Sequence, residues 1–164
     1  MRAIMIRTVA ALAGLAAATG AAAALQDASP LPDGAADALE SGLAAMRERE
    51  FETAIDQFDQ VLDEAKNHPE ANYFTGLAYA YLEDDKKAEK FLKRAVKARA
   101  TFLEARERLA LVHLSRGDPD KAKTQLESLM ELREGCAPEI CDEAYVDRAD
   151  RAIRKVEDAL AAAE

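Results

Sequence analysis

Gly76-Leu77-Ala78-Tyr79-Ala80-Tyr81-Leu82-Glu83-Asp84-Asp85-Lys86-Lys87-Ala88-Glu89-Lys90-Phe91-Leu92 is the stretch that decides the fold. Its small residues Gly76 and Ala88 stand twelve apart, and the pair recurs. Gly42 and Ala54 lie 34 residues earlier, and Ala110 and Ala122 lie 34 residues later. Leu43, Leu77 and Leu111 follow the first small residue of each pair. Phe58, Leu92 and Leu126 come four residues after the second, and Val61, Ala95 and Leu129 seven after. Such a period marks stacked helical hairpins, each of which buries its apolar face against its neighbours. Two helices of about 14 residues and two short turns fill it, at about 3.6 residues per helical turn. The small residues would let the two helices of a hairpin approach. In the second repeat Tyr79, Leu82, Phe91 and Leu92 supply the bulk between repeats.

Three stretches carry a resemblance: Gly42-x11-Ala54-Ile55-x2-Phe58-x2-Val61, Gly76-x2-Tyr79-x8-Ala88-x3-Leu92-x2-Ala95 and Ala110-x11-Ala122-x3-Leu126. They resemble the tetratricopeptide repeat. The segment Gly117-Asp118-Pro119-Asp120-Lys121-Ala122 looks like that family's inter-helix turn, with Asp118 as helix cap and Pro119 at the first helical position. The resemblance spans about residues 36–135. It implies an all-α, right-handed helical-hairpin solenoid with repeats near 35–68, 69–102 and 103–135, closed by a C-terminal capping helix within 136–164. Two departures stand out. The family's early tryptophan is Ala38, Asn72 and Arg106 here, and its closing proline is Lys66 and Ala100, with Pro69 three residues late.

The amino terminus has another character. Met1 to Ala24 carries Arg2 and Arg7, then an apolar run from Thr8 to Ala18, then alanines. This is the layout of a secretory signal peptide cleaved after Ala22-x-Ala24. A membrane anchor would want about 20 strongly apolar residues, and this run is shorter. Residues 25–35, with Pro30, Pro32 and Gly34, read as a flexible leader. The expected localisation is the bacterial periplasm.

Removing the two arginines takes the basic residues from 22 to 20 against 31 acidic ones, and the net charge from -9 to -11. An acidic surface repels phosphates, so nucleic acid and anionic lipid are poor partners. In an oxidising compartment the pair Cys136 and Cys141 reads as a disulfide between the last repeat and the final helix, expected from about Pro138. A thiol-redox helper is the alternative, but the Cys-x-x-Cys spacing is absent. Zinc would want four ligands, and His68 and His113 are distant in sequence. No metal or other cofactor is expected. The final helix carries Ala149, Ile153, Val156 and Leu160 on one stripe, as a solenoid cap requires. A dimerisation helix would look similar, so self-assembly stays open.

No Ser-His-Asp set or glycine-rich phosphate loop is present, and no enzymatic activity is expected. Carrying the family's concave positions across gives Leu39, Leu43, Met46, Tyr73, Phe74, Leu77, Tyr81, Arg108, Leu111 and Leu114 as a partner-binding groove, with Arg47, Glu70, Glu104, Glu107 and Ser115 beside them. The resemblance implies a protein or peptide partner. Leu39, Leu43 and Phe74 stand where some members clamp a terminal carboxylate, which leaves Arg108 as the one anion contact. An apolar segment is the expected ligand, either docked in this groove or replaced by packing of the groove against its own chain.

Overall fold

The structure, a computed structural model, describes residues 31–137 and 141–163; the segment expected to be a signal peptide and most of the expected leader lie outside them. Seven helices run through the described residues: α1 (Asp33–Glu48), α2 (Phe51–Glu64), α3 (Pro69–Tyr81), α4 (Asp85–Ala98), α5 (Leu103–Ser115), α6 (Pro119–Glu134) and α7 (Glu143–Ala161). They pair as α1 with α2, α3 with α4 and α5 with α6, and the hairpins stack through α2 on α3 and α4 on α5. The fold is the all-α helical-hairpin solenoid that the period implies.

Repetition reaches the backbone. Arg49, Glu83 and Gly117 occupy one position of the period and share positive φ angles of 65°, 60° and 74°. Just after them Glu50, Asp84 and Asp118 donate their amides to the carbonyls of Ala45, Tyr79 and His113 at 2.9, 3.0 and 2.8 Å. This is the left-handed helix stop, used three times. Glycine fills it only in the third repeat. Asp84 then caps α4 by accepting from the Lys87 amide at 3.1 Å. Asp118 departs from its expected role: it sits at the cap position of α6, but its carboxylate takes Lys121 Nζ at 2.9 Å and caps nothing.

Inside the first two hairpins the small residue of the first helix lies close against the second helix. A Cβ at Gly42 would stand 2.5 Å from the Phe58 ring, and one at Gly76 2.8 Å from Leu92 Cγ and 3.1 Å from the Leu92 amide nitrogen. The first small residue therefore receives the bulky residue sixteen positions on, while Ala54, Ala88 and Ala122 lie fully buried. Leu82, expected between repeats, ends α3 with 36% exposure.

At the tryptophan positions, polar side chains tie the inter-repeat turn instead. Asn72 Nδ2 donates to the Lys66 carbonyl at 3.1 Å, and Arg106 Nε donates to the Ala100 carbonyl at 3.0 Å. Both bonds reach back six residues. His113 is buried between α4 and α6, with Nδ1 4.0 Å from Glu89 Oε1 and without a hydrogen-bond partner among the described residues. Burial holds its pKa below the ordinary 6.5, against the pull of Glu89.

The ends depart from expectation as well. The α1 helix starts at Asp33, within the expected leader, because Ala35 and Ala36 donate their amides to the Pro32 carbonyl. At the other end Cys136 and Cys141 are disulfide-bonded, with Cα atoms 5.7 Å apart. The final helix begins at Glu143, not near Pro138, which lies outside the described residues. Asp142 caps it, accepting the Tyr145 amide at 2.7 Å. Ala149, Val156 and Leu160 of α7 are buried as expected, joined by Ala152, with Ile153 packed at their edge.

Gly76→Ala is expected to destabilise by about 1–3 kcal/mol through overpacking against Leu92. Gly34→Ala, where an added Cβ meets nothing within 4 Å, should cost nothing. Urea midpoints of the two variants compare them directly. A histidine with a lowered folded pKa takes up its proton more readily when unfolded. Its stabilisation is therefore complete above its ordinary 6.5 and falls as the pH drops through that value. His68, also lowered by burial, acts in the same sense. Stability should fall from about pH 7 to pH 5, and less steeply in His113→Gln. Equal slopes would place that pH dependence in other groups.

Candidate partner-binding face

The first helices of the three hairpins, α1, α3 and α5, carry the predicted groove residues. Heptad-like spacing along α3 sends Tyr73, Phe74 and Leu77 to one side, away from buried Ala71, Thr75 and Ala78. All three are half-buried. Phe74 stacks on Phe58 with ring centroids 5.8 Å apart, within a wall formed by Leu39, Leu43 and Met46. Tyr73 meets Phe74 edge-on at 5.0 Å and leans on Phe102 at the same distance. The result is an aromatic row crossing from the first repeat to the turn that precedes the third.

Phe102 is absent from the predicted set. It precedes α5 and stands 34 residues after His68, outside the offsets used to project a groove. Only its apolar character at a turn could have signalled it. Arg108 lies against the Tyr73 hydroxyl. Burial raises that phenol's pKa, and the guanidinium offsets part of the rise. This cation of the predicted groove is thus already engaged, while Arg47 on α1 is exposed. Leu77 and Leu111 are half-buried on the same helices, between these groups.

Other predicted residues go elsewhere. Tyr81, half exposed, stacks on Phe51 of α2 at 4.7 Å, at the end of the hairpin and apart from the aromatic row. Leu114 packs into the cluster shared by α5, α6 and α7. Ser115 donates to Asp85 Oδ2 at 2.6 Å. These three leave the groove because the last turn of each first helix is claimed by the neighbouring hairpin or by α7.

The α7 helix also settles the acidic flank. It packs on α5 as well as α6, whereas α3 barely touches α1. Lys155 donates to Glu107 at 2.6 Å, and Arg148 lies 3.9 Å from Glu104. A small cleft between the helices is floored by Leu103 and Ala152. The third-repeat end of the groove is therefore covered by the chain itself. What stays open is the apolar row of Leu39, Leu43, Phe74 and Leu77, bounded by Tyr73. Among the described residues no group of His, Cys, Asp and Glu is arranged to hold a metal ion, and no helix is long and apolar enough to cross a membrane.

Residues 69–102 match the tetratricopeptide repeat in sequence. No curated protein matches the chain. Three solved structures share the fold. The tetratricopeptide-repeat domain of Sgt2 from Aspergillus fumigatus is 26% identical, with TM-score 0.59, over 81% of this chain and 85% of that one. The first such domain of Spaghetti (RPAP3), bound to the HSP90 peptide SRMEEVD, is 23% identical, with TM-score 0.62, over 78% and 94%. The TPR2B domain of yeast Sti1, in its pHsp70 complex, is 18% identical, with TM-score 0.61, over 76% and 97%.

Proposed function

The chain is a tetratricopeptide-repeat protein, and we propose that it is a non-catalytic adaptor that holds an apolar polypeptide segment against α1 and α3. The half-buried row of Leu39, Leu43, Phe74 and Leu77 carries this reading. Solvated apolar side chains in a continuous row, backed by a rigid helical stack, gain free energy when a partner excludes water from them. Tyr73 adds a large ring ordered at small entropic cost, the type of side chain that anchors interfaces.

The fold neighbours from RPAP3 and Sti1 are bound to HSP90 and Hsp70 sequences. On this chain Leu39, Leu43 and Phe74 take the place of the polar clamp that some members use for a terminal carboxylate. Arg108 is held at Tyr73, and Glu104 and Glu107 line the flank. With the clamp positions apolar and Arg108 engaged, the reading favours an internal apolar segment, helical or extended. The signal-like amino terminus supports a role in the bacterial envelope, on the periplasmic side.

Two measurements test the two parts. A photo-crosslinking benzoylphenylalanine at Leu77 is expected to capture a polypeptide from envelope extract, while the same probe at exposed Lys123 of α6 is not. Equal capture at both sites would move binding off the groove. Leu43→Glu with Leu77→Glu should abolish capture and leave helicity unchanged. Separately, the protein recovered from periplasm should begin at Leu25, as mass spectrometry reads directly. An intact Met1 would overturn export by cleavage.

A further inference from the structure

The outward face of the second helices carries a charge pattern that the average composition hides. In α2 the exposed face is Glu52, Asp56, Asp59 and Asp63. The spacings of four, three and four put all four on one stripe of the helix. The same positions of the period in α4 are Lys86, Lys90, Lys93 and Lys97, and in α6 they are Asp120, Thr124, Glu127 and Glu131. All twelve are exposed. Three parallel helices thus present an acidic, a basic and an acidic stripe in register.

These stripes do not neutralise one another. Among the described residues no ion pair joins α2 to α4, although Lys93 reaches Glu89 on its own helix. Burial and repulsion from Asp63 and Asp56 raise the Asp59 carboxyl, with Lys90 pulling the other way. Between α2 and α4, at their amino-terminal ends, lies a shallow depression with Ile55, Tyr79 and Leu82 among its lining. It offers apolar surface beside the charges, as interfaces require.

We propose that the outer face of α2 and α4 is self-complementary and docks a second copy of this chain. A two-fold axis running parallel to the helices and between them lays α2 of one copy over α4 of the other, and the reverse. Every carboxylate of the acidic stripe then faces a lysine of the partner, twice over. An axis across the helices would oppose like charges, so the pattern also selects the geometry. An extended polyanion fits less well. The basic stripe is one helix wide, and acidic stripes on α2 and α6 flank it. The dimer would leave both apolar grooves free and present two of them at once.

Sedimentation of the purified chain tests this. Self-association is expected at about 50 mM salt and should weaken at least tenfold by about 500 mM, because exposed pairs are screened. Reversing the basic stripe (K86E, K90E, K93E, K97E) should give a monomer. So should reversing the acidic one (E52K, D56K, D59K, D63K). Mixing the two variants should restore a heterodimer, and a chain with both reversals should dimerise with itself. That last variant also shows that these surface changes permit folding. A wild-type chain that is monomeric at low salt, or a mixture that stays monomeric, overturns the proposal. So does a basic-stripe variant that associates like wild type. The groove reading is untouched by any of these results, because its probes lie on α1 and α3.

Discussion

Everything in this molecule depends on the first helix of each hairpin admitting a bulky side chain from the second at its smallest residue. Gly42 under the Phe58 ring and Gly76 under Leu92 leave no space for a methyl group. That contact sets the interaxial distance of the hairpin and therefore the angle at which the next one stacks. Once two hairpins share it, the rest of the period follows. The turns stop in the left-handed region at equivalent residues, and the second helices line up with their outward faces in register. A side-chain pattern on one repeat is then repeated in space by the next.

This constraint explains what was legible in the sequence. Seven helices and three hairpins could be read because small and bulky residues recur at fixed offsets, and burial of those residues is what the fold requires. Which bulky side chain covers the small residue was not legible, because periodicity reports which positions are small without saying what fills the space above them. The start of α7 was misplaced for a different reason. A disulfide loop has no periodicity, and the cap at Asp142 is a local hydrogen bond that outweighs the apolar pattern.

The departures from the family pattern have a common physical account. Where tryptophan would fill the joint between repeats, Asn72 and Arg106 tie the carbonyl six residues back. Burying a polar side chain costs less when it is hydrogen-bonded. The turn carbonyls before α3 and α5 take one bond each, from fully buried Asn72 and from half-buried Arg106. Asn72 Oδ1 stays without a partner among the described residues. The groove was legible in its middle, at Leu39, Leu43, Tyr73, Phe74 and Leu77. It was not legible at its ends, because whether Tyr81 or Leu114 is free depends on Phe51 and α7, which are distant in sequence.

The division between the two faces follows from what packing decides. Along the first helices, side chains at the groove are half committed to the core, so their identity is constrained by Phe58, Phe102 and the stack. Along the second helices, the outermost stripe faces solvent and, among the described residues, makes no ion pair with another helix, so the fold depends little on its charge. Within α4 itself, Lys93 pairs with Glu89 and Lys90 lies over the Phe91 ring. Random placement on an acidic chain would give mostly carboxylates there, as α2 and α6 have. Four lysines in the same register on α4 run against the net charge of -9. Helix propensity does not demand them, since glutamate forms helices about as well as lysine. Nor does the helix dipole, whose favourable effect on cations is confined to the last turn near Lys97. The proposed contact between two copies gives the α4 stripe a role that packing within the single chain does not.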